Sequence, residues 1–236
     1  MSGSGRIVDM LAFGAHPDDV EIGMAATIAK HVQSGIRFGI CDLTQAELSS
    51  NGDVVTRQAE AAAASEILGL ASRSCLALPD RGLTGSAEQI EAIVREIRRL
   101  RPTVVFAPYW DDRHPDHNAC SRLVEEAVFN AKLRRYLPDI EPVQVQQLYY
   151  YYINDVKDVT LMVNVSDFYE AKRDSLLAYR SQFESVAEGA DRVVTPLTQR
   201  YVENVDARDR LLARERGWAY AEGFTTKRPV TMGLFE

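Results

Sequence analysis

Between residues 7 and 131, short apolar runs alternate with stretches whose apolar positions fall at helical spacing. That alternation constrains the fold more than any other feature of the chain. The runs at 7–14, 37–44, 74–78 and 103–110 predict strands. Residues 20–34 predict a helix, with Ile22, Ala25, Ala26, Ile28, Ala29 and Val32 on its apolar stripe and Gly35 as its stop. Further helices are predicted at 56–69, at 86–100 with Ser86 as N-cap, and at 118–131. The expected fold is α/β: a Rossmann-like, mostly parallel sheet flanked by helices. A smaller, irregular C-terminal α/β portion follows. Its strands are expected in QQLYYYYIN (146–154) and VTLMVNV (159–165), and its helices at 167–183 and about 198–215. No repeat or linker interrupts the chain, so one domain over 1–236 is the simplest organisation. The tyrosine run at 149–152 reads as a strand with alternate rings buried rather than as a sugar-stacking platform.

Composition narrows the function classes. With 236 residues, 46% of them hydrophobic, the chain is long enough to bury a sizeable core. The net charge is −7 and the basic residues are scattered, which argues against a nucleic-acid footprint. Cys41, Cys75 and Cys120 form no C-x-x-C pair, as in a reducing compartment. MSGSGRIVDMLAFGA lacks the apolar stretch of a signal peptide, and no segment has the roughly 20 apolar residues of a membrane span. A cytoplasmic protein with no membrane partner is expected.

The first strand ends in GAHPDDVEIG, where a dinucleotide-binding fold would carry G-x-G-x-x-G. The glycines that admit a pyrophosphate are replaced by ligand-type side chains, which disfavours a nicotinamide or flavin. A plain alternative is helix-start chemistry: proline at the first helical position and acidic residues in the first turn both suit a helix N-terminus. A second motif weighs against it. The strand 103–110 runs into YWDDRHPDHNAC, with His114, Asp116 and His117 just before a helix. Ligand sites of open parallel sheets lie outside the carboxyl ends of the strands, so both motifs project to one edge. Three of the four histidines lie in these two stretches; His31, within a helix, reads as a surface residue. Histidine and carboxylate from two loops suit a catalytic zinc, which uses three protein ligands and leaves a position for water. One of the paired aspartates would ligate and its neighbour act as base.

With these residues in view, the chain resembles the PIG-L/LmbE-like zinc-dependent N-deacetylases, closest to the bacillithiol-biosynthesis branch. CDLTQAELSSNGD, LPDRGL, FAPYWDDRHPDH, YRSQF, TPLTQRYVE and YAEGF carry the likeness nearly end to end. The resemblance implies that His16, Asp19 and His117 hold the metal, that Asp18 is the general base, and that His114 steadies the oxyanion or protonates the leaving amine. It implies that Asp116 orients His114. Arg57 would reach the sugar or acid, and Tyr201 the acetyl oxygen; the plain alternatives are a helix-surface charge and a core aromatic. Arg81 and Arg113 flank the motif loops and either meet an anionic substrate or serve as loop ion-pair partners. The implied cofactor is Zn²⁺, with Fe²⁺ or Co²⁺ compatible with the same donors. The implied substrate is an N-acetylated amino-sugar conjugate, N-acetylglucosaminyl malate first, hydrolysed to glucosaminyl malate and acetate. A homo-oligomer, trimer or hexamer, is expected, with contacts in 130–150 and the C-terminal helices. Two other readings stay open: a deacetylase of another N-acyl amino sugar or chitooligosaccharide, and a metal-dependent binding module without turnover.

Overall fold

The computed structural model describes residues 5–186 and 192–230, which leaves most of the MSGSG start and the GLFE tail outside the described residues. The expected alternation is present. In chain order the elements are β1 (Met10–Gly14), α1 (Asp19–Gln33), β2 (Phe38–Thr44), α2 (Val54–Leu68), β3 (Ser72–Leu78), α3 (Ala87–Leu100), β4 (Val104–Pro108), α4 (Pro115–Ala131), β5 (Gln147–Tyr151), β6 (Leu161–Asn164), α5 (Tyr169–Leu177), α6 (Arg180–Phe183), α7 (Tyr201–Ala213) and β7 (Ala221–Thr225). They form one seven-stranded sheet in the order β3-β2-β1-β4-β5-β7-β6. The first five strands of that order pair in parallel, and β7 pairs antiparallel with both β5 and β6.

Each face of the sheet is covered. On one side Ile93, Val94 and Ile97 of α3 and Leu123 and Val124 of α4 bury against Leu11, Phe13 and Val105. On the other, Ile22, Met24, Ala25 and Ile28 of α1, with Ala61 and Ala64 of α2, bury against Ala12, Phe38, Ile40 and Phe106. Full burial of each large aliphatic side chain contributes about 1.5–3 kcal/mol. Helix ends follow their residues: Ser86 accepts from the N–H of Gln89 as N-cap of α3, and Asp53 accepts from that of Thr56 as N-cap of α2.

Three expectations need correction. The tyrosines alternate in face but not in burial: Tyr150 and Tyr152 enter one core and Tyr151 the other, and all three are buried because helices cover both faces of the sheet. The helix expected at 167–183 is broken: after a 3₁₀ turn, α5 stops at Leu177 and the four-residue α6 follows. The break lets the buried Tyr179 hydroxyl donate to Glu21 at 2.8 Å. Strand β7 has no counterpart among the expected strands, since AEGFT carries a charge and a glycine and reads as loop.

The strand order sets the place of the site. Sheet order reverses between the neighbours β1 and β4, with α1 on one face and α4 on the other. Such a reversal opens a crevice at the carboxyl ends of the two strands. GAHPDD leaves β1 there and YWDDRHPDH leaves β4 there. No helix of the described residues is long and apolar enough to cross a membrane.

Candidate active site

The doubled aspartate is not ordinary helix-start chemistry. Pro17 lies before the helix, and Asp18 is the residue at its N-cap position, with φ 108° and a side chain that makes no capping bond. A non-glycine residue in that left-handed region costs about 1–3 kcal/mol, so its surroundings must impose it. Arg57 of α2 does so: the same guanidinium nitrogen donates to the carbonyl of Pro17 and to the Asp18 carboxylate, the latter at 3.2 Å. Arg57 is therefore not a helix-surface charge. It is 2% exposed and lines the cavity.

Asp19, first residue of α1, gathers the two motifs. Its Oδ2 accepts from the His16 main-chain N–H at 2.9 Å and lies 3.5 Å from His16 Nδ1. Its Oδ1 lies 3.0 Å from His117 Nε2. Ring nitrogens of His16, His114 and His117 come within 4.8 Å of one another. The outer nitrogens of the two flanking imidazoles are taken up by carboxylates. His16 Nε2 is 3.2 Å from Asp80 and 3.6 Å from Asp116. His117 Nδ1 is 2.9 Å from Asp112. Asp112 is fixed in turn by the main-chain N–H of His114 and by the Asn154 side chain, each at 2.8 Å.

Asp116 does not orient His114 through its carboxylate. That carboxylate is bound by Arg81, from the main chain at 2.9 Å and from the guanidinium at 3.0 Å. What reaches His114 Nδ1 is the Asp116 main-chain N–H, at 3.3 Å. It is one of the unpaired donors of the first turn of α4, and His114 is the N-cap that accepts it. With Nδ1 accepting, a neutral His114 carries its proton on Nε2.

The electrostatics favour a cation. Asp18, Asp19, Asp80, Asp112 and Asp116 converge here, offset among the described residues by ion pairs from Arg57 and Arg81. Burial opposes charge on His117, but Asp19 and Asp112 outweigh it and raise the imidazole to about 9. Burial likewise opposes charge on His16, and Asp116, Asp19 and Asp80 raise it well above its ordinary value. Burial pushes Asp18 up to about 7, with Arg57 working against the rise and Asp19 with it. His114 goes down, through burial and the neighbouring His117 and His16. Donor atoms of His16, His114 and His117, and of His16, Asp80 and Asp116, lie close enough to share an ion, and Asp19 stands between His16 and His117. Mixed nitrogen and oxygen donors from two loops amid surplus negative charge suit a divalent metal.

The cavity measures about 490 Å³ and is lined by Asp18, Arg57, Arg113, His114, Asn154 and Tyr201, among others. Tyr201 is half-buried at the start of α7, with its hydroxyl 3.2 Å from Asn154. Arg81 is a loop ion-pair partner of Asp116. Arg113 is exposed on the cavity wall, and no carboxylate pairs with it among the described residues. His31 stands apart, bonded to the Thr27 carbonyl one turn back. Sequence reading missed Asp80, Asp112 and Asn154. Asp80 lies in LPDRGL, and Asp112 belongs to a second doubled aspartate, five residues before His117.

The pattern of the PIG-L family, described as GlcNAc-PI de-N-acetylase, matches residues 11–128. The diacetylchitobiose deacetylase of Thermococcus kodakarensis is 31% identical over 189 residues, covering 74% of this chain and 70% of its own. The probable N-acetyl-α-D-glucosaminyl L-malate deacetylase 2 of Bacillus cereus is 27% identical over 221 residues, covering 87% of this chain and 94% of its own. The crystal structure of a conserved protein from Thermus thermophilus superposes with a TM-score of 0.88 at 38% identity, covering 97% of this chain and 99% of that one. The matched residues hold both motifs and the strands that present them, so the chain belongs to the PIG-L family of de-N-acetylases and is an enzyme of that hydrolase class.

Proposed function

We propose that this chain, folded as one domain, hydrolyses the N-acetyl group of an N-acetylglucosamine conjugate, N-acetylglucosaminyl malate in the first instance, to the free amine and acetate. The observation that carries this reading is the meeting of Asp18, Asp19, His16, His114 and His117 at the wall of one cavity. His16, Asp19 and His117 would hold the metal, zinc first, with Fe²⁺ or Co²⁺ suited to the same donors. When bound, such an ion supplies Lewis acidity and makes water acidic enough to attack at neutral pH.

The residues of the chain do the rest. Asp18, buried and titrating near neutrality, takes the proton of the attacking water and returns it to the nitrogen as the C–N bond breaks. His114, neutral and with its proton on Nε2, donates to the oxygen that gains charge when water adds to the acetyl carbon. Arg57 fixes the direction of Asp18 from the cavity wall. Its Nε and Nη1 are buried without a hydrogen-bond partner among the described residues, so it acts through Asp18 rather than on the sugar. Tyr201, which lines the same cavity, is assigned to the acetyl oxygen. Arg113, rather than Arg81, is the cation left for an anionic aglycone.

A chitooligosaccharide is the second reading. It is favoured by the higher identity, 31%, to the diacetylchitobiose deacetylase. Acetate release from metal-loaded protein, compared across N-acetylglucosaminyl malate, diacetylchitobiose and free N-acetylglucosamine, decides between them. Preference for the malate conjugate, lost in Arg113→Ala, supports the first reading; preference for the disaccharide replaces it. Cytoplasmic location and assembly as a trimer or hexamer complete the proposal, the latter checked by sedimentation.

A further inference from the structure

Helix α1 is interrupted one turn beyond the site. Met24 has φ −153° and ψ 19°, outside the helical region. An interruption inside a buried helix leaves main-chain groups that need partners. Two charged side chains of the C-terminal portion take them. Arg208 of α7 donates to the carbonyl of Ile22 at 2.9 Å, before the break. Glu222 of β7 accepts from the N–H groups of Ala26 at 3.2 Å and Thr27 at 2.6 Å, just after it. Its carboxylate thus acts as an N-cap for the second half of the helix.

The clamp extends to the other motif. Arg208 also donates to the carbonyl of Ile153 at 2.8 Å. The next residue, Asn154, bonds Asp112, and Asp112 bonds His117. One guanidinium therefore ties the turn bearing Asp18 and Asp19 to the strand end that seats His117. The charges are closed off by Asp209, which accepts from Arg208 at 2.9 Å and from Lys172 at 2.8 Å, and by Lys172, 2.7 Å from Glu222. Lys172, Asp209 and Glu222 are all buried. Buried ion clusters are weak sources of stability compared with apolar side chains of like volume, so stability alone does not account for this one.

We propose that Arg208 and Glu222 are positioning residues: by clamping the break in α1 they set Asp18 and Asp19 against His117. The proposal rests on reading His16, Asp19 and His117 as the metal donors. It is tested with Glu222→Gln and Arg208→Lys, against Ile97→Ala in the core of the opposite face as a control of matched thermal destabilisation. Zinc affinity by chelator competition, the visible spectrum of the Co²⁺-loaded protein, and kcat and KM are compared. The expected result is roughly tenfold weaker zinc binding in both clamp variants, an altered Co²⁺ band, and kcat down about tenfold with KM within about twofold, the control remaining at wild type. Clamp variants that follow the control in every readout overturn the proposal. Should Glu222→Gln fail to fold, the double variant Glu222→Gln/Lys172→Met, which removes both charges, takes its place. The metal readouts need no turnover. A wild type inactive on acetylated sugars but showing these shifts overturns the substrate reading and keeps the clamp; an active wild type with unmoved metal readouts in the variants overturns the clamp alone. A wild type that binds no divalent metal overturns both.

Discussion

Asp112 accepts a hydrogen bond from Nδ1 of His117 at 2.9 Å and thereby turns Nε2 of that ring toward Asp19, 3.0 Å away. The pair fixes tautomer and direction together, as carboxylates behind metal-binding histidines do. Asp112→Asn keeps the shape but removes the charge. Zinc affinity should fall about 10- to 100-fold, read by competition with a chromogenic chelator. Unchanged affinity would show that His117 needs no such support.

Asp80 stands in the same relation to His16, 3.2 Å from Nε2, and its second oxygen accepts from the Leu48 N–H at 3.1 Å on the cavity wall. Asp80→Ala should weaken zinc binding by a similar factor and also raise KM, because one carboxylate holds both His16 and the Leu48 wall. Titration calorimetry with zinc and steady-state kinetics would check the two effects separately. A change in KM alone would leave Asp80 with the wall only.

Gly23 is required by proximity. A Cβ built there lies 2.1 Å from Cδ2 of Tyr151, whose hydroxyl is anchored on the Phe13 carbonyl at 2.8 Å. Neither the ring nor α1 can yield without disturbing the sheet. Gly23→Ala should destabilise the protein by about 1–3 kcal/mol or more, measured by urea unfolding. A neutral outcome would mean that α1 shifts freely over β5.

Acid stability should depend on Asp209. Burial works against its ionised form, but Lys172 and Arg208 outweigh this and hold the carboxyl below its ordinary value. The folded pKa thus lies under the unfolded one, about 3.9. The stabilisation is complete above the unfolded value and is lost as pH falls through the folded one. Asp209→Asn should cost about 3–5 kcal/mol near pH 7, and the gap from wild type should narrow below about pH 4. Urea unfolding from pH 7 to 3 tests this; a gap constant with pH would remove Asp209 from the acid limb.

Much of this was legible in the chain. The strand–helix alternation gave the parallel part of the sheet, because apolar runs buried on both faces and amphipathic helices follow different periods. The two histidine motifs could be assigned to one edge because sites of such sheets form beyond the carboxyl ends of the strands. What the sequence hid was tertiary in origin. Asp112 and Asp80 look like loop acids until β4 and β3 bring them behind His117 and His16. The left-handed backbone of Asp18 has no local signal, since Arg57 imposes it from 39 residues away. The kink at Met24 lies in an unbroken helical pattern and is capped by Glu222, from a strand too short and polar to be foreseen.

The most direct test of the central claim is acetate release by zinc-loaded wild type and Asp18→Asn, with metal content measured on the same samples. Equal zinc is expected in both, with turnover lower in the variant by roughly 10²–10⁴-fold. A variant that holds zinc and releases acetate at the wild-type rate would contradict the assignment of Asp18 as the base.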